Sequence, residues 1–256
     1  MASEANTRRV VRLTLGYAGA GYAGWARQSP ATTHGLDTVQ QVLERALADI
    51  LGQPVTCVAA GRTDAGVHAE GQVVSFASTS AVPADGLRRV LATRLPPDIW
   101  VLDAADAPAQ FDARRDARRR WYRYSLWLGD TPATDWRGRA LPVLRTLELA
   151  PMRAAARLLL GRRDLTSLAS ADAVGSPVRT IFAADWLQVS PQLVHFVVCA
   201  DGFLKRMVRT LVGSLMRVGG DGWSADRFAA ALVAADRRAA GPTVPALGLT
   251  LTRVEY

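Results

Sequence analysis

The spacing of apolar residues switches between a period of two and a period of 3.6 in both halves of this chain. That alternation constrains the fold more than any single motif. Val11, Leu13, Leu15 and Tyr17 alternate with Arg12, Thr14 and Gly16, as in a half-buried strand. Val39, Val42, Leu43, Ala46, Leu47, Ile50 and Leu51 then recur on one helical face. Asp37 is placed to cap that helix with Gln40 at the third position, and Gly52 to end it. Strands are predicted near residues 56–59 and 72–76, and a helix over 84–95, stopped by Pro96-Pro97. The second half repeats the plan: a strand at 121–128, a helix at 152–160, strands at 183–189 and 193–199, and a long helix at 203–218. A further helix starts after Ser224, and a strand over 249–256 closes the chain. Two such halves predict an α+β protein of two ferredoxin-like units. With 256 residues the chain can bury one large core or two small ones.

The stretch AGRTDAGVHAEGQVVSF, residues 60–76, concentrates the chemistry. Asp64 stands between Arg62 and His68 in a turn-like segment with Gly61 and Gly66, just ahead of an alternating strand. A carboxylate on a loop beside a cation is held ionised and aimed, which suits a nucleophile or a base. Polar, glycine-rich surface loops share the same outline.

The formal charge is +8, and of 31 basic residues only Lys205 is lysine. An arginine surplus suits a polyanionic partner, because the guanidinium fork matches phosphate. Six arginines fall between Arg114 and Arg123, in a predicted hinge at residues 110–120, and run into Trp121-Tyr122-Arg123-Tyr124. Basic residues interleaved with aromatics suit RNA, where bases stack on rings and guanidinium groups take phosphates. In a strand, Tyr122, Tyr124 and Leu126 share one face, and core packing alone could account for Tyr122. On the long helix, Phe203, Leu204, Met207, Leu211 and Leu215 cluster on one side and Arg209 lies opposite, so periodicity alone makes Arg209 a solvent-exposed side chain.

Cys57 and Cys199 are far apart, lack a CxxC spacing and sit in apolar surroundings, as core thiols do. With three scattered histidines, His34, His68 and His195, they form no metal-ligand pattern. No apolar run reaches the roughly 18 residues that span a bilayer. The start, MASEANTRR, has no apolar signal core. A soluble, cytoplasmic protein is expected.

Six ordered blocks resemble the tRNA pseudouridine synthase A family. They are GYAGAGYAGWARQ with DTVQQVLERAL, GRTDAGVHA with GQVVSF, LPPDIWVL, RRWYRY, FLKRMVRTLVGSLMRVG, and AAGPTVPALGLTLTRVEY. Together they span nearly all of the chain. The resemblance implies two mainly antiparallel sheets joined side by side around a central cleft, and a homodimer. It implies an N-terminal half, residues 1–110, carrying a catalytic aspartate, Asp64. The C-terminal half, residues 111–256, would carry a tyrosine that stacks on the target uracil, Tyr122, and the arginine of MVR, Arg209. Arg209 is expected to pair with the aspartate, and Arg62 to hold RNA beside the displaced base. The substrate implied is the anticodon stem-loop of tRNA, in which uridine becomes pseudouridine with no cofactor and no metal.

Four positions depart from the family pattern: Ala18 in the early turn, Ala26 in the WQRQ-like segment, Asp112 in the FHAR-like segment, and Arg163 in the HDF-like one. Two rival readings stand beside this one. One is an RNA-binding protein on the same scaffold that modifies nothing. The other is a hydrolase using Asp64 and His68 as an acid–base pair, for which Glu70 is the obvious second carboxylate.

Overall fold

The computed structural model describes residues 8–220 and 222–256. The opening MASEANT, on which the expectation about a signal core partly rested, lies outside them. The chain divides into two compact units. One runs to Arg118 and takes in Leu251–Tyr256; the other is Arg119–Thr250.

The first unit holds β1 (Arg9–Tyr17), α1 (Pro30–Thr33), α2 (Val39–Leu51), β2 (Val58–Ala59), β3 (His68–Ser78), α3 (Ala84–Arg94) and β4 (Ile99–Ala107). Its strands run β4-β1-β3, with β2 also paired to β3. All of these pairings are antiparallel, with Leu13 opposite both Val74 and Ala104. Val11, Leu13, Leu15 and Tyr17 are buried, as their alternation predicts.

The helix α2 begins one residue later than Asp37 and Gln40 suggest. Thr38 is the cap: its hydroxyl accepts from the Gln41 N–H at 3.3 Å, and the Gln41 side chain accepts from the Thr38 N–H at 3.0 Å. Asp37 is instead engaged by Arg45. Gly52 ends the helix in the left-handed conformation, φ +66°.

The second unit holds β5 (Arg119–Leu128), β6 (Leu141–Val143), α4 (Leu149–Arg157), β7 (Gly161–Asp164), β8 (Val178–Gln188), β9 (Leu193–Ala200), α5 (Met207–Gly220) and α6 (Ala225–Val233). A last strand, β10 (Leu249–Glu255), begins at its end. The order β5-β9-β8-β7 is antiparallel throughout, and β6 lies parallel to β5. Both units are therefore α+β with mainly antiparallel sheets.

The long helix starts four residues later than its apolar stripe suggests. Arg206 adopts φ +61°, a left-handed conformation that a helix cannot pass through, so the helix begins at Met207. Among the described residues no helix is long and apolar enough to cross a membrane. Both cysteines are buried and outside any disulfide, and burial pushes the Cys57 thiol well up.

Candidate active site

Asp64 sits half-buried on the loop between β2 and β3, and the first unit grips that loop from three sides. The Val67 N–H donates to the Asp64 carbonyl at 3.1 Å, closing a tight turn that Gly66 enters at φ +80°. The Trp25 N–H donates to the Thr63 carbonyl at 3.0 Å. Gln72, fully buried on β3, donates its amide to the Gly61 carbonyl at 2.7 Å. The residues flanking Asp64 are thus tied to fixed elements through their carbonyls.

Two glycines let the early turn press against this loop. A Cβ on Gly19 would stand 1.9 Å from the Val67 carbonyl oxygen. Gly24 combines φ +88° with a virtual Cβ only 2.8 Å from the Thr63 oxygen. His68, the first residue of β3, is 5% exposed, and its Nδ1 accepts from the Gly19 N–H at 3.2 Å. That bond fixes the neutral tautomer with the proton on Nε2. His68 therefore braces the turn through Nδ1; Glu70, two residues on, is exposed. Arg62 is exposed on this loop.

In the second unit, Tyr122 lies on β5 with Tyr124 and Leu126, all buried on one face. Tyr122 is 7% exposed, and its ring meets that of Phe203 edge-on, centroids 5.0 Å apart. Tyr124 is fully buried and donates its hydroxyl to the Pro245 carbonyl at 2.8 Å. Burial raises its pKa, and the charge of Arg209 offsets part of that rise.

Arg209 is not the solvent-exposed side chain its helical position suggests. It is half-buried, and its Nε donates to the Val244 carbonyl at 2.8 Å, while the Val244 N–H returns to the Arg209 carbonyl at 3.3 Å. The segment GPTVP, residues 241–245, straps the polar side of α5. Ser214 accepts from the Gly241 N–H at 2.9 Å, and the Thr210 and Thr243 hydroxyls meet at 2.9 Å. The strap lies so close that a Cβ on Gly213 would stand 1.9 Å from the Pro242 oxygen.

The structure thus places Arg62 and Asp64 on one loop of the first unit, and Tyr122 and Arg209 on β5 and α5 of the second. Sequence reasoning missed the side chains that hold them: Tyr17, Thr63, Gln72, Ser214 and the strap. Among the described residues, no group of three or more His, Cys, Asp or Glu side chains is placed to hold a metal ion.

The model of a protein family described as tRNA pseudouridine synthase matches residues 16–116 and 155–256. The chain belongs to that family. It is 41% identical over 250 residues to the tRNA pseudouridine synthase A of Moorella thermoacetica, covering 96% of this chain and 99% of that one. It is 42% identical over 247 residues to the enzyme of the same name from Beijerinckia indica, covering 96% and 93%. The tRNA pseudouridine synthase A of Methylacidiphilum infernorum is 40% identical over 247 residues, with 96% and 94% covered.

Against the family pattern, two of the four departures have local structural roles. The Asp112 carboxylate accepts from the Arg114 and Arg115 N–H groups, both at 2.9 Å, and so caps the turn before β5. Burial works to raise its pKa, but those two N–H donors and the Arg115 guanidinium outweigh it and hold the carboxyl below the usual range. Arg163, on the exposed β7, donates its Nε to the Leu160 carbonyl at 3.2 Å. At the third departure, Ala18, the backbone N–H donates to the Asp98 carbonyl at 2.9 Å, and the Asp98 carboxylate accepts from Tyr22 at 2.6 Å.

Proposed function

We propose that this protein converts uridine to pseudouridine in tRNA, with Asp64 as the carboxylate that starts the reaction. The observation that carries the reading is the family match across both units, with GRTDAGVHA intact on a loop held as described above. The N1–C1′ glycosidic bond breaks, the uracil turns, and a C5–C1′ bond forms. One proton leaves C5 and one is taken up at N1, so there is no net redox change and no hydrolysis. An isomerisation of this kind consumes no co-reactant.

The target base must leave its stack before a side chain can reach it, at a cost of about a few kcal/mol. Thirty arginines against 23 acidic residues favour phosphate contacts that offset that cost. In this reading Tyr122 packs against the extruded uracil, Arg209 keeps the aspartate ionised, and Arg62 holds the RNA strand. Asp64 attacks C1′, attacks C6, or takes the 2′ proton; each of these steps needs the carboxylate anion. By the same resemblance the substrate segment is the anticodon stem-loop, and the enzyme works as a homodimer in the cytoplasm.

The test is release of tritium from a tRNA transcript labelled at uridine C5. Wild-type protein should release it, and Asp64→Asn should not while still binding tRNA. Tight binding of intact tRNA by the wild type without release would instead support the non-catalytic RNA-binding reading. Normal turnover by Asp64→Asn would remove Asp64 from the chemistry.

A further inference from the structure

We propose that Tyr17, Thr63 and Gln72 form a buried positioning device for Asp64, an inference that rests on the reading of Asp64 as the catalytic carboxylate. The Tyr17 hydroxyl meets the Thr63 hydroxyl at 2.8 Å, and Gln72 Nε2 reaches the Tyr17 hydroxyl at 3.4 Å and the Gly61 carbonyl at 2.7 Å. Tyr17 is 1% exposed, Gln72 0% and Thr63 7%.

Three polar side chains in so dry a place are costly. An apolar trio of similar volume would fill the space without burying an amide and two hydroxyls. Gln72 makes the cost plain: both of its bonds use the N–H side, and its Oε1 is buried with no hydrogen-bond partner in the described structure. What the trio provides is directional. Tyr17 stands at the end of β1 and Gln72 within β3, two paired strands of one sheet. From that base they hold the residue immediately before Asp64 by its side chain, and the residue three before it by its carbonyl. The Trp25 N–H takes the remaining Thr63 carbonyl. Thr63 is thus fixed at its hydroxyl and its carbonyl, which restricts where the next Cα–Cβ bond points. Buried, fully directed bonds from rigid elements are how a reactive group is kept to one geometry.

Tyr17, Thr63 and Gln72 touch neither substrate nor reacting atoms in this account; they act through Asp64. Their loss should therefore appear in kcat and not in tRNA affinity. Tyr17→Phe keeps the ring, and Thr63→Val keeps the shape. Each should lower kcat about tenfold or more, since misplacing a reacting group by about 1 Å costs roughly a hundredfold. KM and tRNA affinity should stay within about twofold, in assays run well below each variant's melting temperature. Because both changes remove the Tyr17–Thr63 bond, and only Tyr17→Phe removes the Gln72 one besides, the double variant should be no more than about twofold slower than the slower single one. Thr63→Ser restores the hydroxyl and should return kcat to near wild type.

Unchanged kcat in Tyr17→Phe and Thr63→Val, beside an inactive Asp64→Asn, would overturn the proposal. So would losses that multiply in the double variant, or a Thr63→Ser variant as slow as Thr63→Val. Normal turnover by Asp64→Asn would instead bring down the underlying reading of Asp64, and this inference with it.

Discussion

Gly19→Ala is the sharpest single test of how the aspartate loop is held. An added methyl would stand 1.9 Å from the Val67 carbonyl oxygen and 2.6 Å from its carbon, where real Cβ contacts essentially never fall below 3.0 Å. The gap from 1.9 to 3.0 Å means that something must move by about 1.1 Å. Both obstructing atoms are backbone, so no side chain can swing aside. The movable parts are the turn around Gly19 and the loop ending at Val67, whose N–H holds the Asp64 carbonyl. If the turn retreats instead, it drags the Gly19 N–H from His68 and strains the Trp25 bond to Thr63. Either way Asp64 shifts. Overpacking of this kind costs about 1–3 kcal/mol, or a melting temperature lower by about 2–12 °C. A shift near 1 Å at a reacting group lowers kcat about a hundredfold. Gly21→Ala is the control: it lies in the same turn, and its added methyl meets only the Asp98 carboxylate, at 4.0 Å. It should keep kcat within about twofold. Tritium release under saturating tRNA, with thermal melts on both variants, makes the comparison. If Gly19→Ala turns over within about threefold of wild type, the turn does not set the position of Asp64 and the reasoning fails.

Three further outcomes are expected. Ser214→Ala strips the acceptor from the buried Gly241 N–H and should cost about 1–3 kcal/mol, read by denaturant melts; an unchanged midpoint would mean that the strap is held by its other contacts. Arg209→Lys keeps the charge but loses the fork that donates to Val244, so kcat should fall about tenfold or more; a lysine variant with wild-type turnover would show that charge alone suffices. Burial lifts the Tyr17 pKa from 10.0 to about 12, more than its bonds to Thr63 and Gln72 lower it, so the neutral phenol belongs to the folded state. That stability is complete below about pH 10 and is lost as pH rises through about 12, a change of about 3 kcal/mol. Urea melts at pH 9 and 11.5 should show the loss in wild type and a shallower one in Tyr17→Phe; equal slopes would refute the assignment.

Legibility in the sequence followed the apolar period. Strand β1, the body of α2 and the Ser224 cap of α6 are where alternation, stripe and cap residue place them. The motif placed Asp64 on a loop before β3. Other elements had no such signal. Gly161–Asp164 reads GRRD and is exposed at every position, so no apolar residue marks it as β7. Strand β4 ends in LDAADA, whose small and acidic residues suit an exposed strand but have no contrast between faces. The polar side of α5 read as a solvent face because Arg209 stands opposite the leucines. The strap that covers it lies about thirty residues later and has no period of its own. Gln72 looked like one more polar residue of an alternating strand; that its amide meets Gly61 and Tyr17 depends on how the chain returns.

The two clusters solve one physical problem in the same way. In each, a segment bearing a reactive or charged side chain is brought to backbone contact with its neighbour, and a glycine makes the approach possible: Gly19 against Val67, Gly213 against Pro242. In each, a buried polar side chain then catches a backbone group that the approach would leave unsatisfied. Gln72 takes the Gly61 carbonyl, and Ser214 takes the Gly241 N–H. Close approach alone would leave the segments free to slide, and hydrogen bonds alone would leave them loose. Together they limit each segment to one register, because a slide of a few tenths of an ångström lengthens the bonds while the glycine contact leaves no space on the other side. A chain that must cut a glycosidic bond and rejoin the same two fragments has a use for that restriction. Between the two steps nothing covalent links base to ribose, and misplaced groups would let water finish the reaction as hydrolysis. Disrupting either glycine contact should raise the fraction of free uracil released per pseudouridine formed, an outcome that chromatography of the Gly19→Ala reaction would detect. A slower reaction with no uracil at all would mean that the grip serves rate alone.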